Sequence, residues 1–334
     1  MAVIAPVAAR GDLGRRSASG KAVLNAGILA VGASLVVTVV SVTNATTLAM
    51  PAWPLVIALV AVAFGIPHGA VDHLTIARRL GRREWALLSV SYLSLAAMAT
   101  ALILIAPALT FGIVLAMTVW HFGSGDVAAA AALAGTGQER GVVGVLHAVA
   151  AGSAPVLLPL TSTAAVATLA QIQPRLSEVF TPVVTFTIRY GTLALVSVMI
   201  CVLLNRGKNR SALELGVLAL LGLVAAPFVA FAVYFGLWHA LRHTARLAQA
   251  PDGQVRVSAM ARVFAAGLPA LAGAVLTVAV LIWVLGTDVL GEGIGSAGAW
   301  LWFGLALVWG LTVPHMVLVS RYDRRIERAI LLEH

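Results

Sequence analysis

The sequence predicts an all-α, polytopic membrane bundle of about 8–10 transmembrane legs, one of them broken by proline near 225–227. Three observations carry that reading. The 334-residue chain is 60% hydrophobic and 10% charged, with a mean hydropathy of +0.99, whereas soluble domains are about 25% charged. Apolar runs of about 20 residues, enough to cross a bilayer as helix, recur along its whole length. Basic residues gather in short clusters beside those runs: Arg10, Arg15, Arg16 and Lys21; "RRLGRR" at 78–83; "NRGKNR" at 205–210; Arg242, Arg246, Arg256 and Arg262; and "RYDRRIER" at 321–328.

The runs fall at 22–43, 47–67, 85–106, 108–122, 141–160, 182–204, 212–237, 263–286 and 298–319, and each is justified by its flanks. Residues 1–21 form a basic tail ahead of the first run, and 321–334 a basic tail after the last, with one catalytic membrane domain between them at 22–320. Lysine and arginine favour the cytoplasmic side. With the N-terminus inside, the second, fourth and sixth runs return to basic loops, and the connections at 44–46, 107, 161–181 and 287–297 lie outside. Of the 22 Lys and Arg, only Arg175 and Arg189 then stand outside the cytoplasmic set. The net charge of +9 is therefore that of a protein of the inner (cytoplasmic) membrane with both termini cytoplasmic, in contact with lipid and not with nucleic acid. The run 212–237 needs a break to keep this order. Ala225–Pro227 supplies it, because proline lacks a backbone donor and disfavours helix in the residue before it.

A single cysteine, Cys201, excludes a disulfide framework and any CxxC site; it reads as helix packing. The eight histidines carry more chemistry. His68, His121, His239 and His315 come at or near the cytoplasmic ends of their helices, and His147 lies two turns into its own. Ionisable groups in membrane segments point by default to a functional site. "WHALRH" places His239 and His243 at i and i+4 on one helix face. His68 in "PHG" and His121 in "WHFG" stand where a helix meets a glycine-containing turn. Four histidines on three helix ends of one leaflet form a metal site, and imidazole suits Zn, Cu, Fe and Ni alike.

Two readings are open for the carboxylates. Asp72, Asp126 and Glu214 are partners for the second nitrogen of a ligating imidazole, or else solvated loop residues and, for Glu214, an early helix position favoured by the dipole. His147 and His315 are wall residues of the same pocket, or packed interior side chains. Trp120 and Trp238 belong to an interfacial aromatic belt or to an aromatic wall for a flat conjugated substrate. His73 does not share a helix face with His68, and His334 ends the chain.

The ordered set "GIPHGAVDH", "WHFGSGD", "FAVYFGLWHALRH" and "LTVPHMVLV" resembles the Brp/Blh family of β-carotene 15,15′-dioxygenases, from about residue 60 to 320. The resemblance implies a membrane enzyme that uses Fe(2+) and O2 to split β-carotene at its central double bond into two all-trans retinal, often for a microbial rhodopsin. It implies His68, His121, His239 and His243 as the iron ligands, with no catalytic residue beyond them. It does not cover the N-terminal 45 or so residues. Two other readings compete. A di-iron lipid desaturase or hydroxylase needs HxxHH clusters, and the chain has none. A histidine-lined ion or metal transporter needs polar groups through both leaflets, and the outer half of the spans is nearly bare apart from Arg189.

Overall fold

The computed structural model describes residues 18–43, 57, 60, 61, 63, 65–67, 69–71, 81–250, 253–285 and 297–332. Among them the helices are α1 (Ala18–Thr43), α2 (Arg82–Ile105), α3 (Pro107–Ala134), α4 (Gly141–Leu160), α5 (Thr163–Ile172), α6 (Pro174–Ser177), α7 (Pro182–Asn205), α8 (Asn209–Val224), α9 (Pro227–Ala232), a π-helical segment Val233–Ala240, α10 (Leu241–Leu247), α11 (Val257–Leu285) and α12 (Ala297–Leu332). There is no sheet among the described residues, and one isolated bridge joins Gln249 to Val255. Among the described residues, six helices are long and apolar enough to cross a membrane, and Ser19–Leu35 and Thr163–Ile172 are shorter apolar helices. Their outward faces carry side chains such as Leu87, Val90 and Leu93, more than half exposed, as lipid-facing surfaces do. The fold class is the helical membrane bundle that composition predicts.

Local chemistry sets the helix ends. The Glu84 carboxylate accepts from the Gly81 N–H at the start of α2. Ser162 and Thr181 accept from Ala165 and Val184 at the starts of α5 and α7. Pro107, Pro182 and Pro227 occupy first-turn positions, where a missing N–H costs nothing. The expected break is present: α8 stops at Val224, Ala225 and Ala226 are extended (ψ 146° and 144°), and Pro227 begins α9.

Three boundaries differ from expectation. The fourth span does not end at 122 but runs to Ala134, where Gly135 closes it at φ 64°. His121 therefore sits inside a helix and not at a glycine turn. Gly123 and Gly125 continue the helix, and at Gly123 the lack of a side chain serves packing. A Cβ on Gly123 would collide with the Ala148 carbonyl, and one on Gly152 with the Val119 carbonyl. Helices α3 and α4 thus cross backbone to backbone, as small residues permit in membranes. The connection expected over 161–181 is largely helical, as α5 and α6. The last span continues to Leu332, so the basic segment after 320 extends the helix. Cys201 is exposed on α7 and takes no part in packing.

The main core gathers around α4, α7, α8 and the π-helical segment, with Phe122, Ala154, Leu158, Met199, Leu215 and Tyr234 among its members. A second cluster joins α2, α3, α6 and α12 through Ile103, Phe111, Leu176 and Trp302. The Tyr92 hydroxyl ties α2 to α12 by donating to the Leu311 carbonyl at 2.8 Å. Between these clusters lies the polar centre.

Candidate metal centre

A strip of buried polar side chains runs through this apolar bundle, and it is where the histidines meet. His121 comes from α3, His239 from the π-helical segment, His243 from α10 and His315 from α12; all four are buried. Ring centroids of His121 stand 5.0 Å from His315 and 5.7 Å from His239, and His239 is 6.2 Å from His243. Three separate stretches of chain contribute to one cluster of rings. His239 packs beside Gly125, its Cε1 at ordinary contact distance from where a Cβ would stand.

Asp126 stands behind His239. Its Oδ1 is hydrogen-bonded to His239 Nδ1 at 2.8 Å, and its Oδ2 accepts from the Tyr234 hydroxyl at 2.8 Å. Both bonds are buried, so each orients its ring strongly. The local helix geometry explains the pairing. Tyr234 and His239 are five residues apart and would diverge on an α-helix. In a π-helix, bonded i to i+5, they return to one side and reach a single carboxylate. Spacing alone did not reveal Tyr234; the signal is a proline-initiated helix rich in bulky aromatics immediately before an HxxxH pair.

Rings four residues apart stack down this helix. Phe231 and Phe235 lie 5.3 Å apart at 13°, Phe235 and His239 6.4 Å at 13°, and His239 and His243 are inclined by 12°. Phe122 closes the flank at 4.4 Å from His239. Phe231, 38% exposed, begins the column at the lipid side.

The remaining candidates separate. Glu214 meets no imidazole. It accepts from Arg242 Nη1 at 2.9 Å and from Arg210 Nε at 3.0 Å, because α8 faces the arginine side of α10. Trp238 is not at an interface; it is 1% exposed and carries the Arg242 guanidinium 3.6 Å above its ring. Arg242, also 1% exposed, escaped the sequence reading as one of several cytoplasmic arginines. Trp120 is 43% exposed and turns away from the cluster to which its neighbour His121 belongs. His147 lies apart from the other imidazoles. With Asp126, Ser211, Glu214 and Arg242, among apolar neighbours such as Leu215 and Leu218, it lines a small, partly open pocket of about 30 Å³. Its Nδ1 and the Trp238 Nε1 have no hydrogen-bond partner among the described residues.

His68, Asp72 and His73 lie outside the described residues. The residues beside His68 are described: 65–67 and 69–71 are helical, so the turn expected at Pro67–Gly69 is not seen in them. Pro67 packs on Gly267, and Gly69 abuts His315, whose Cε1 would be 3.1 Å from a Cβ at that glycine. As they stand, no three His, Cys, Asp or Glu among the described residues converge closely enough to hold an ion.

Comparison with known proteins agrees with the motif order. The family model described as β-carotene 15,15′-dioxygenase matches residues 59–323. A similar curated protein is the probable β-carotene 15,15′-dioxygenase Blh of Halobacterium salinarum, 27% identical over 306 residues, covering 79% of this chain and 82% of the relative. No solved structure matches. The matched segment takes in every histidine of the cluster and the carboxylate behind it, and the chain belongs to the β-carotene 15,15′-dioxygenase family.

Proposed function

We propose that the protein cleaves β-carotene at its central 15,15′ double bond with O2, releasing two all-trans retinal, at an Fe(2+) centre held by His121, His239, His243 and His68. One observation carries the reading: buried imidazoles from four elements cluster in a chain of this family, with a carboxylate fixing one of them. The donor type suits iron, which imidazole ligates. Among the proposed ligands, His121 and His239 stand 5.7 Å apart and His239 and His243 6.2 Å apart, centroid to centroid, and ion binding would draw these rings closer, since no three described residues close on one point as they stand. Because Asp126 engages Nδ1, a metal bond of His239 is made through Nε2, the usual carboxylate–histidine–metal arrangement. His68 is assigned on its "PHG" motif.

Iron bound there supplies activation of O2. The protein's own residues do the rest by positioning. Asp126 and Tyr234 hold the His239 ring. The stacked Phe231 and Phe235 present flat apolar faces to a conjugated hydrocarbon, which would enter sideways from lipid. Buried Phe122 and the α3–α4 crossing keep bulk water away. This reading places both termini at the cytoplasm and the enzyme in the inner membrane, with retinal available to a microbial rhodopsin.

Expression in β-carotene-producing cells tests the activity. Loss of colour with retinal as the chromatographic product is expected. Unchanged carotene beside abundant, membrane-inserted protein would reject the proposal.

A further inference from the structure

Helix α1 precedes the family-matched segment, which begins at residue 59, yet it is bound into the body of the protein. Leu24 and Val31 are fully buried, and Gly20 meets the Leu133 carbonyl. Ser19 Oγ accepts from the Val255 N–H at 2.9 Å and donates to Gln254 Oε1 at 3.1 Å. Asn25 Oδ1 accepts from Arg210 Nη2 at 3.0 Å, and Arg210 in turn holds Glu214. At Gly27 the helix backbone lies directly over the stacked tryptophan and arginine. A Cβ there would be 3.2 Å from Trp238 Cε3 and 3.5 Å from Arg242 Nη2.

That contact matters because of what Trp238 and Arg242 flank. Trp238 precedes His239, and Arg242 precedes His243. The guanidinium lies on the indole of its own segment and is paired with Glu214 of α8, and α1 covers both at Gly27, so the segment is packed from two other elements. We infer that α1 is a positioning element of the histidine site: through Gly27 on Trp238 and Arg242, and Asn25 on Arg210, it holds the segment that carries His239 and His243. The inference rests on the proposed metal reading for its consequence, but the clamp itself is independent of any metal.

The full-length, metal-free protein in detergent gives the first test. In Gly27→Leu, amide hydrogen exchange over residues 233–247 is expected to rise about tenfold. Gly32→Leu is the control, because nothing lies within 4 Å of a Cβ at Gly32 on the same helix, and its exchange should match the parent. After iron loading, chelator competition should show affinity about tenfold weaker in Gly27→Leu, as for other supports of ligating histidines. Should leucine prevent folding, Gly27→Ala decides, since it asks the indole edge to move by only tenths of an ångström. Its exchange should rise roughly two- to threefold. Exchange in Gly27→Leu, or failing that Gly27→Ala, equal to the Gly32→Leu control overturns the inference. Iron retained by His239→Ala would reject the metal reading instead and leave the exchange result standing.

Discussion

Asp126→Ala is expected to weaken iron binding by about 10- to 100-fold, the usual cost of removing the carboxylate behind a ligating histidine. The carboxylate does two things at once. It holds Nδ1 of His239 and so selects the other nitrogen for the metal, and it ties that ring to Tyr234. Alanine leaves two buried polar groups without their partner, and the imidazole is free to rotate. Asp126→Asn keeps the shape and can still accept from His239 Nδ1 while the amide donates to the Tyr234 oxygen. It loses the charge and the acceptor of the Tyr234 O–H but keeps the bond to His239, so a smaller defect is expected. Iron per chain and chelator competition on the purified proteins measure both. Alanine and asparagine variants that bind iron like the parent would show that Asp126 acts elsewhere.

Glu214→Ala is expected to destabilise the protein by about 3–5 kcal/mol, because removing one member of a buried ion pair strands the other. Arg242 is the member stranded, at 1% exposure; Arg210, on the more exposed side of Glu214, can turn to solvent. Thermal unfolding in detergent reads the effect. The double variant Glu214→Leu/Arg242→Met, which removes both charges and keeps apolar volume, should recover most of the loss. A double variant as unstable as Glu214→Ala would mean that the pair is not the source of the defect.

These two residues also show how far sequence reading reaches. The membrane class, the basic flanks and the Ala225–Pro227 break were legible because each rests on local chemistry: hydropathy, charge, and a residue without an N–H. The HxxxH pair was legible for the same reason. Asp126 could be nominated from its nearness to His121, although its partner proved to be His239, more than a hundred residues on. Glu214 was left open between an imidazole partner and a dipole-favoured helix position; its arginine partners are set by how α8 faces α10, which no local pattern records. Trp238 was left open between an interfacial belt and an aromatic wall, and the guanidinium on its face was legible from neither. Gly123 resembled a turn, since glycine marks both turns and close helix crossings, and only the neighbouring helix distinguishes them. The π-helical segment was invisible because its extra residue per turn follows from packing and from the bonds that Tyr234 and His239 make to one carboxylate.

The central claim is that the buried histidines hold iron, and metal analysis of the purified protein tests it most directly. Protein isolated from iron-replete cells is predicted to carry about one iron per chain, as expected for a single mononuclear histidine site. His121→Ala and His239→Ala, folded and monodisperse, are predicted to carry almost none. Parent protein that forms retinal while free of iron, or histidine variants that keep their full complement, would contradict the account.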